Sequence, residues 1–255
     1  MLLAADIGNT NITVGVFDGD KLKATWRIAT GVHRMPDEYA ILFLNLLERQ
    51  RLKGSQITDV VICSVVPPLV GGFEELFQRY LNITPLVVGA GVKTGVRICM
   101  DNPREVGADR IVNAVAAHHL YGGPVIVIDL GTATTFDVVS AEGDYVGGSI
   151  APGIAIATEA LFTRTAVLPR VELIHPKKAI GRNTVSAMQS GIVYGYVGLI
   201  EGLVARIRKE LGAKAKVVAT GGFAELLAAE TSVIDVVNPD ITLIGLRLIH
   251  AMNQQ

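Results

Sequence analysis

The first part of the chain has the apolar pattern of strands joined by turns. Apolar residues dominate positions 2–7 (LLAADI) and 12–18 (ITVGVFD), and the polar turn GNTN separates them at 8–11. Apolar, β-branched runs bounded by Gly, Asn and Asp are typical of hairpins. We therefore expect two paired strands, followed by a third at LKATWRI, residues 22–28.

The apolar spacing then changes to that of a helix. Ile41, Leu44 and Leu47 recur at helical spacing within residues 37–51, and a continuous β-branched run at 59–67 predicts a strand covered on both faces. Further helices are expected at 70–80 and 102–119. The second would begin with Asn102 as its cap and a proline at its first position.

The opening pattern recurs in the second half of the chain. Asp129-Leu130-Gly131 stands 123 positions (129 − 6) after Asp6-Ile7-Gly8, again between an apolar run and a polar turn. A mainly helical stretch is expected over 154–211, then a strand at 216–222 and a last helix at 239–252. Strands and helices in two similar halves predict an α/β fold with a duplicated domain. We place the domains at 1–121 and 122–255, with an interdomain cleft.

Composition and charge limit the classes of partner that the chain can bind. Half of its 255 residues are hydrophobic and its formal net charge is -1, so it can bury a core but has no field that attracts nucleic acid or anionic lipid. The most membrane-like window, 191–200, is shorter than the roughly 18–20 residues of a span, and the N-terminus lacks a signal-peptide pattern. We expect a cytoplasmic protein with a small-molecule partner. Cys63 and Cys99 lie in apolar runs, which favours structural thiols.

The glycine turns offer chemistry suited to anions. Gly8 lets the backbone approach a ligand closely, and residues 9–11 supply amides and a hydroxyl. Asp6 is a hard oxygen donor where a Mg²⁺ ion on a bound phosphate would sit. One such turn could equally be a hairpin with a capping aspartate, but the turn occurs twice and a third glycine turn follows at 220–222.

Four motifs follow one another along the chain. They are DxGNTN at 6–11, NPxEVGADR at 102–110, DxGTATT at 129–135 and GxNTxxAMQSG at 181–191. In this order they resemble the motifs of the type III pantothenate kinases of the actin/Hsp70/sugar-kinase superfamily. The resemblance covers essentially the whole chain. It implies two ribonuclease H-like domains of the actin-like ATPase type. It also implies ATP-dependent phosphorylation of pantothenate to 4'-phosphopantothenate, which opens coenzyme A biosynthesis.

The resemblance further implies roles for individual residues. Asp109 would be the general base, and phosphorylation of an alcohol does require a carboxylate near the hydroxyl proton. Asp129 would bind a monovalent cation, K⁺ or NH₄⁺, and Asp6 the Mg²⁺ that accompanies ATP. The residues that contact ATP would be Asp6, Ile7, Gly8, Asn9, Thr10, Asn11, Ile12, Thr13 and Thr132. Those that contact pantothenate would be Met100, Gly107, Ala108, Asp109, Arg110 and Thr184.

Two features bear on the pocket and on the assembly. Close relatives usually carry tyrosine where this chain has Met100, so a hydroxyl contact is missing and the pocket is softer. A long apolar helical segment contains small residues at 190, 191, 195, 198 and 202. They would either pack within the chain or form the interface of a homodimer, which the resemblance favours.

Two other functions share the phosphate-binding turns. One is that of another small-molecule kinase of the superfamily, such as a sugar or acetate kinase, and the segments at 107–110 and 181–191 count against it. The other is that of a non-catalytic nucleotide-binding regulator. A regulator has no need of a base such as Asp109 beside an anion-pairing arginine, so this alternative is also less favoured.

Overall fold

The computed structural model describes residues 1–254, which contain two five-stranded sheets and the helices packed on them. The chain divides into two compact units. The first unit contains residues 1–96, 102–116 and the C-terminal segment from Ile241, and the second contains 97–101 and 117–240. This division differs from the expected boundary at 121/122, because the last helix belongs to the first unit.

The first unit is built on a mixed sheet with the strand order β3-β2-β1-β4-β5. Its strands are β1 (Leu2–Ile7), β2 (Asn11–Asp18), β3 (Lys21–Ala29), β4 (Asp59–Ser64) and β5 (Leu86–Val87). Its helices are α1 (Pro36–Arg49), α2 (Pro67–Leu81), the first part of α3 (Ala108–Tyr121) and α7 (Ile241–Asn253). β1, β2 and β3 are antiparallel, whereas β4 and β5 continue parallel to β1.

One face of this sheet packs against α1 and α2. Leu3, Ala5 and Ile7 of β1 belong to that core, as the two-residue period of a strand requires. The helices contribute a cluster of aromatic rings whose centroids lie 5.0 to 6.3 Å apart. Asp6 lies between Ala5 and Ile7, and side chains alternate between the two faces of a sheet. Its side chain therefore points away from this core, toward the other face.

The other face carries α7, which contacts β1, β2 and β4. Two glycines make the close packing possible. A Cβ on Gly15 of β2 would lie 2.8 Å from the Leu243 side chain of α7, and one on Gly245 would overlap the backbone of Val112 in α3. These contacts explain why the C-terminal helix belongs to the first unit.

The second unit repeats this topology, which confirms the predicted duplication. Its strands are β6 (Val125–Leu130), β7 (Ala133–Val139), β8 (Tyr145–Pro152), β9 (Lys216–Thr220) and β10 (Val236–Val237). The order β10-β9-β6-β7-β8 is that of the first sheet read from the other edge, with β6 in the place of β1. β6 again pairs antiparallel with the strand after its turn and parallel with the strand on its other side.

The helices of the second unit are α4 (Ile154–Arg164), α5 (Thr184–Leu211) and α6 (Ala224–Ala228). By length and composition α5 could cross a membrane, but eight of its residues are buried and it forms part of the core of the second unit. Two expectations about helices are wrong. Residues 165–183 contain no helix or strand, and α3 begins at Ala108 rather than Asn102, after a separate 3-10 turn at 103–105.

A buried hydroxyl in the second sheet generates a prediction about stability. Thr134 of β7 is fully buried, and its Oγ1 has no hydrogen-bond partner among the residues that the structure describes. An unsatisfied buried polar group costs about 1–3 kcal/mol. We therefore expect Thr134→Val to raise the free energy of unfolding by about 1 kcal/mol in urea titrations.

The matched control for this prediction is Thr158→Val. Thr158 is also buried, but its hydroxyl donates to the Ile154 carbonyl at 2.6 Å. The same substitution there removes a bond that is made, so it should not stabilise the protein. A Thr134→Val protein less stable than the wild type would contradict the interpretation of Thr134 as unsatisfied.

Candidate active site

The first polar turn joins β1 to β2 and has an exposed tip. Residues 9–11 are exposed, and the turn is closed by the Gly8 amide, which donates to the Asn11 carbonyl at 3.0 Å. A Cβ on Gly8 would lie 3.0 Å from that same oxygen, so glycine keeps the turn tight. Asp6 precedes the turn and is half-buried, opposite Thr13 on β2 and Cys63 on β4.

The segment Gly107 to Arg110 forms the beginning of α3. The Asp109 carboxylate turns back and accepts a hydrogen bond from the Arg110 amide at 2.8 Å. A Cβ on Gly107 would lie 2.5 Å from Asp109 Oδ1. Glycine at 107 therefore leaves room for the carboxylate to adopt this position at the positive end of the helix.

Asp6 and Asp109 both lie near a buried thiol in the first unit, that of Cys63. The pKa of Cys63 is raised well above its ordinary value, first by burial and then by repulsion from the carboxylates of Asp6 and Asp109. The geometry agrees, because Asp6 lies opposite Cys63 on the neighbouring strand and a Cβ on Gly107, two residues before Asp109, would lie 3.8 Å from Val65 Cγ1. The tertiary structure thus brings together two motifs that are about a hundred positions apart in the sequence.

The pKa of Asp109 is raised above that of an ordinary aspartate. Burial is the main cause, and it outweighs the Arg110 amide and the Arg110 charge, which both lower the pKa. Loss of solvation therefore outweighs these contacts and a further one with the backbone of Asp109 itself. A carboxylate with a raised pKa holds a proton more readily than a solvated one does, which suits a group that must accept a proton during a reaction.

The second turn, in the second unit, resembles the first but is one residue shorter. The Gly131 amide donates to the Ala133 carbonyl at 3.1 Å, and Thr132 at the tip is exposed. Asp129 is half-buried before the turn, 3.1 Å from where a Cβ on Gly131 would lie. The third glycine turn follows β9, where Gly221 has a φ of 93° and packs directly on the backbone of Leu130. The third turn therefore lies beside the second.

Sequence reasoning missed a buried polar network on β7. Asp137 is fully buried and accepts hydrogen bonds from the hydroxyls of Tyr145 at 2.8 Å and Thr135 at 3.0 Å. Thr135 lies directly opposite Asp129 across the strands. The only signal in the sequence is an aspartate inside the apolar run FDVV, because the pairing with Tyr145 depends on the neighbouring strand.

The remaining predicted substrate residues lie in the second unit. Met100 is half-buried, and its sulfur lies 3.3 Å from where a Cβ on Gly147 would be. Thr184 is the exposed first residue of α5, after Asn183, whose side chain caps the helix through the Ser186 amide at 2.8 Å. An open groove of about 690 Å³ includes Thr184, Gly181 and Leu161 in its lining. Cys99 is exposed, contrary to expectation.

Comparison with known proteins identifies the family. The family model of type III pantothenate kinase matches residues 2–206. The type III pantothenate kinase of Dehalococcoides mccartyi strain CBDB1 is 57% identical over 253 residues, covering 99% of this chain and 96% of that protein. The one of Moorella thermoacetica is 54% identical, covering 99% and 100%. The chain belongs to the type III pantothenate kinase family.

Solved structures of low sequence identity share the fold of this chain. A conserved putative Baf family transcriptional activator from Campylobacter jejuni matches with a TM-score of 0.62 at 20% identity, covering 99% of this chain and 98% of that one. A putative 2-dehydro-3-deoxygalactonokinase from Sinorhizobium meliloti matches with a TM-score of 0.62 at 14% identity, covering 99% and 97%. At these identities the likeness establishes the fold alone, which is that of the actin-like sugar kinases.

The raised pKa of Asp109 predicts how Asp109→Asn changes stability. At pH 7 the wild-type carboxylate is ionised in a site that disfavours its charge, whereas an asparagine is neutral and keeps an oxygen for the Arg110 amide. We expect Asp109→Asn to raise the free energy of unfolding at pH 7. The native wild type takes up its proton at a higher pH than the unfolded chain does, so its disadvantage should shrink as the pH falls through that range.

Urea titrations of both proteins from pH 7 down to pH 4 measure this difference. Asp101→Asn is the control, since Asp101 is exposed and its neutralisation should change stability little. If Asp109→Asn is less stable than the wild type at pH 7, the bonds to the carboxylate outweigh its burial and the assigned direction is wrong.

Proposed function

We propose that the protein is an ATP-dependent kinase that phosphorylates pantothenate to 4'-phosphopantothenate, the first step of coenzyme A biosynthesis. The observation that carries the proposal is that Asp6, before a glycine turn, and Asp109, a carboxylate with a raised pKa, both lie near Cys63 and its strand. Membership of the type III pantothenate kinase family supports pantothenate as the acceptor. A cytoplasmic location fits an enzyme that uses ATP.

In this proposal Asp109 is the general base. It accepts the proton of the primary hydroxyl while the hydroxyl oxygen bonds to the γ-phosphorus and the bond to ADP breaks. Arg110 pairs with the substrate carboxylate, because a guanidinium and a carboxylate form strong charge-assisted hydrogen bonds. Gly107, Ala108, Met100 and Thr184 complete the contacts with pantothenate.

Residues Asp6 to Thr13 and Thr132 contact ATP in this proposal. Among residues 1–254 no group of three or more His, Cys, Asp or Glu side chains could hold a metal ion. That fits Mg²⁺, which binds through one or two carboxylates and keeps phosphate and water ligands. Asp6 would hold the Mg²⁺, which neutralises phosphate charge. Asp129, opposite the Thr135 hydroxyl, offers oxygen donors that suit a monovalent cation, K⁺ or NH₄⁺.

The proposed function is tested by coupled ADP release. We expect turnover with pantothenate, and not with a panel of sugars and short-chain acids, with a rate that depends on K⁺. Asp109→Asn should lower kcat by roughly 10² to 10⁴ while leaving ATP binding nearly intact. Asp101→Asn again serves as the control.

Two outcomes would count against this proposal. Turnover of a sugar but not of pantothenate would show that the acceptor is a sugar and that the proposed substrate is wrong. A loss in kcat of less than about fivefold in Asp109→Asn would remove Asp109 as the base, because general bases contribute typically 10² or more.

We also propose that the active form is a homodimer joined through α5. Gly191, Gly195 and Gly198 are exposed on one side of this helix, and a Cβ on any of them would meet nothing within 4 Å beyond its chain neighbours and the adjacent helix backbone. Several large apolar side chains near this region are exposed as well. They are Ile156, Leu161, Phe162, Ile180 and Val185. Such a surface favours close packing of a second chain over solvent.

Because Thr184 begins α5, the proposed dimer predicts an acceptor pocket shared by two chains, with Asp109 from one and Thr184 from the other. Co-refolding Asp109→Ala chains with Thr184→Arg chains makes about half of the dimers mixed, and each mixed dimer then holds one intact site. Activity should recover to roughly a quarter of wild type. Differential tags would verify the mixed dimers.

The matched control mixes Asp109→Ala with Arg110→Ala chains. Both lesions then belong to the same segment, so every site in a mixed dimer keeps one lesion and activity should not recover. If the Asp109 and Thr184 variants also fail to recover although mixed dimers form, the pocket belongs to a single chain.

A further inference from the structure

Thr30, one residue beyond β3, makes two hydrogen bonds to the first polar turn. Its hydroxyl donates to the Gly8 carbonyl at 2.6 Å, and its backbone amide donates to the Thr10 carbonyl at 2.9 Å. Thr30 is 22 residues from Gly8 in the sequence and belongs to none of the four motifs. A single side chain and its own backbone thus hold two carbonyl oxygens of the proposed ATP-binding turn.

Holding these carbonyls also orients amide groups. In a trans peptide the C=O and the N–H point in opposite directions, and the Gly8 carbonyl shares its peptide unit with the Asn9 amide. When the Gly8 carbonyl points to Thr30, the Asn9 N–H points away from β3, at the exposed tip of the turn. The bond thus turns an oxygen away from an approaching anion and presents a donor to it.

The position of Thr30 is itself fixed by the next residue. The buried Tyr39 hydroxyl accepts from the Gly31 amide at 2.8 Å and donates to the Gly31 carbonyl at 3.1 Å. Tyr39 packs among the aromatic rings of the first core, 5.0 Å from Phe73 between ring centroids. The turn is therefore tied through Thr30 and Gly31 to the rigid interior of the unit.

The second copy of the domain keeps the backbone bond and lacks the side chain. The Gly153 amide donates to the Thr132 carbonyl at 3.1 Å, as the Thr30 amide does to Thr10. A Cβ on Gly153 would overlap the carbonyl oxygens of Thr132 and Gly131. The second turn therefore lies against bare backbone, whereas the Gly8 carbonyl of the first turn accepts a hydrogen bond from the threonine side chain.

We propose that Thr30 is a positioning residue for ATP, which fixes the first turn so that its amides face the phosphates. The proposal rests on the proposed function, in which residues 6–13 contact ATP. Thr30 acts through Gly8 and Thr10, so loss of its hydroxyl should weaken ATP binding and leave pantothenate binding alone. Gly153, at the equivalent position of the second unit, has no hydroxyl, so this positioning role applies to the first turn only.

The test is the affinity of Thr30→Val for ATP with Mg²⁺, measured by calorimetry without pantothenate. We expect the dissociation constant to rise about tenfold, because misplaced binding groups lose much of their effect. Thr30→Ser keeps the hydroxyl and should stay within about threefold of wild type. Thr30→Ala, measured in parallel, removes the hydroxyl without adding a methyl group in its place. Steady-state kinetics should show a raised KM for ATP and an unchanged KM for pantothenate.

Two controls separate positioning from stability and from the proposed function. Thr25→Val makes the same change at an exposed site on β3 and should leave ATP affinity unchanged. Thr10→Val alters the turn itself. If Thr10→Val weakens ATP binding and Thr30→Val and Thr30→Ala do not, the positioning role is wrong. If Thr10→Val also binds ATP as the wild type does, the assignment of the turn to ATP fails, and this inference with it.

Discussion

The antiparallel pairing of the first two strands of each sheet is the constraint on which both turns depend. In the first sheet, Leu3, Ala5 and Ile7 face the core while Asp6 faces the opposite side. A slip of one residue would move the carboxylate among the aromatic rings and turn Leu3, Ala5 and Ile7 toward α7. The cost of burying a charge in an apolar core therefore fixes the register. Once the register is fixed, the turn and its preceding carboxylate stand together at the end of a buried strand.

The first unit concentrates negative charge where solvent is scarce. Asp6 and Asp109 both act on the buried thiol of Cys63, and burial raises the pKa of Asp109 despite its place at the beginning of α3. Such an arrangement lowers stability, because ionised groups prefer water. It is typical of sites that bind cations or move protons. A neutral thiol near two carboxylates adds no third charge, which makes cysteine a tolerable residue at position 63.

Duplication gave the two units one topology, and their turns then acquired different supports. The first turn is held by the Thr30 side chain, whereas the second lies against Gly153, the residue immediately before α4. The second sheet carries a buried carboxylate, Asp137, held by two hydroxyls, where the first sheet has apolar residues and Gly15. The copies therefore share a backbone plan but differ in the polar groups placed near each turn.

The sequence by itself determined the strands, the repeat and the candidate residues, because two-residue periodicity and glycine turns are local properties of the chain. The motifs also determined the family. The tertiary structure decided the rest. It placed α7 in the first unit through Gly15 and Gly245, whose packing partners lie far away in the sequence. It began α3 at Ala108, because Gly107 must leave room for the Asp109 carboxylate. It also revealed the role of Thr30. A threonine at the end of a strand cannot be recognised from the sequence as a hydrogen-bond partner of the Gly8 carbonyl, because that contact depends on the folded sheet.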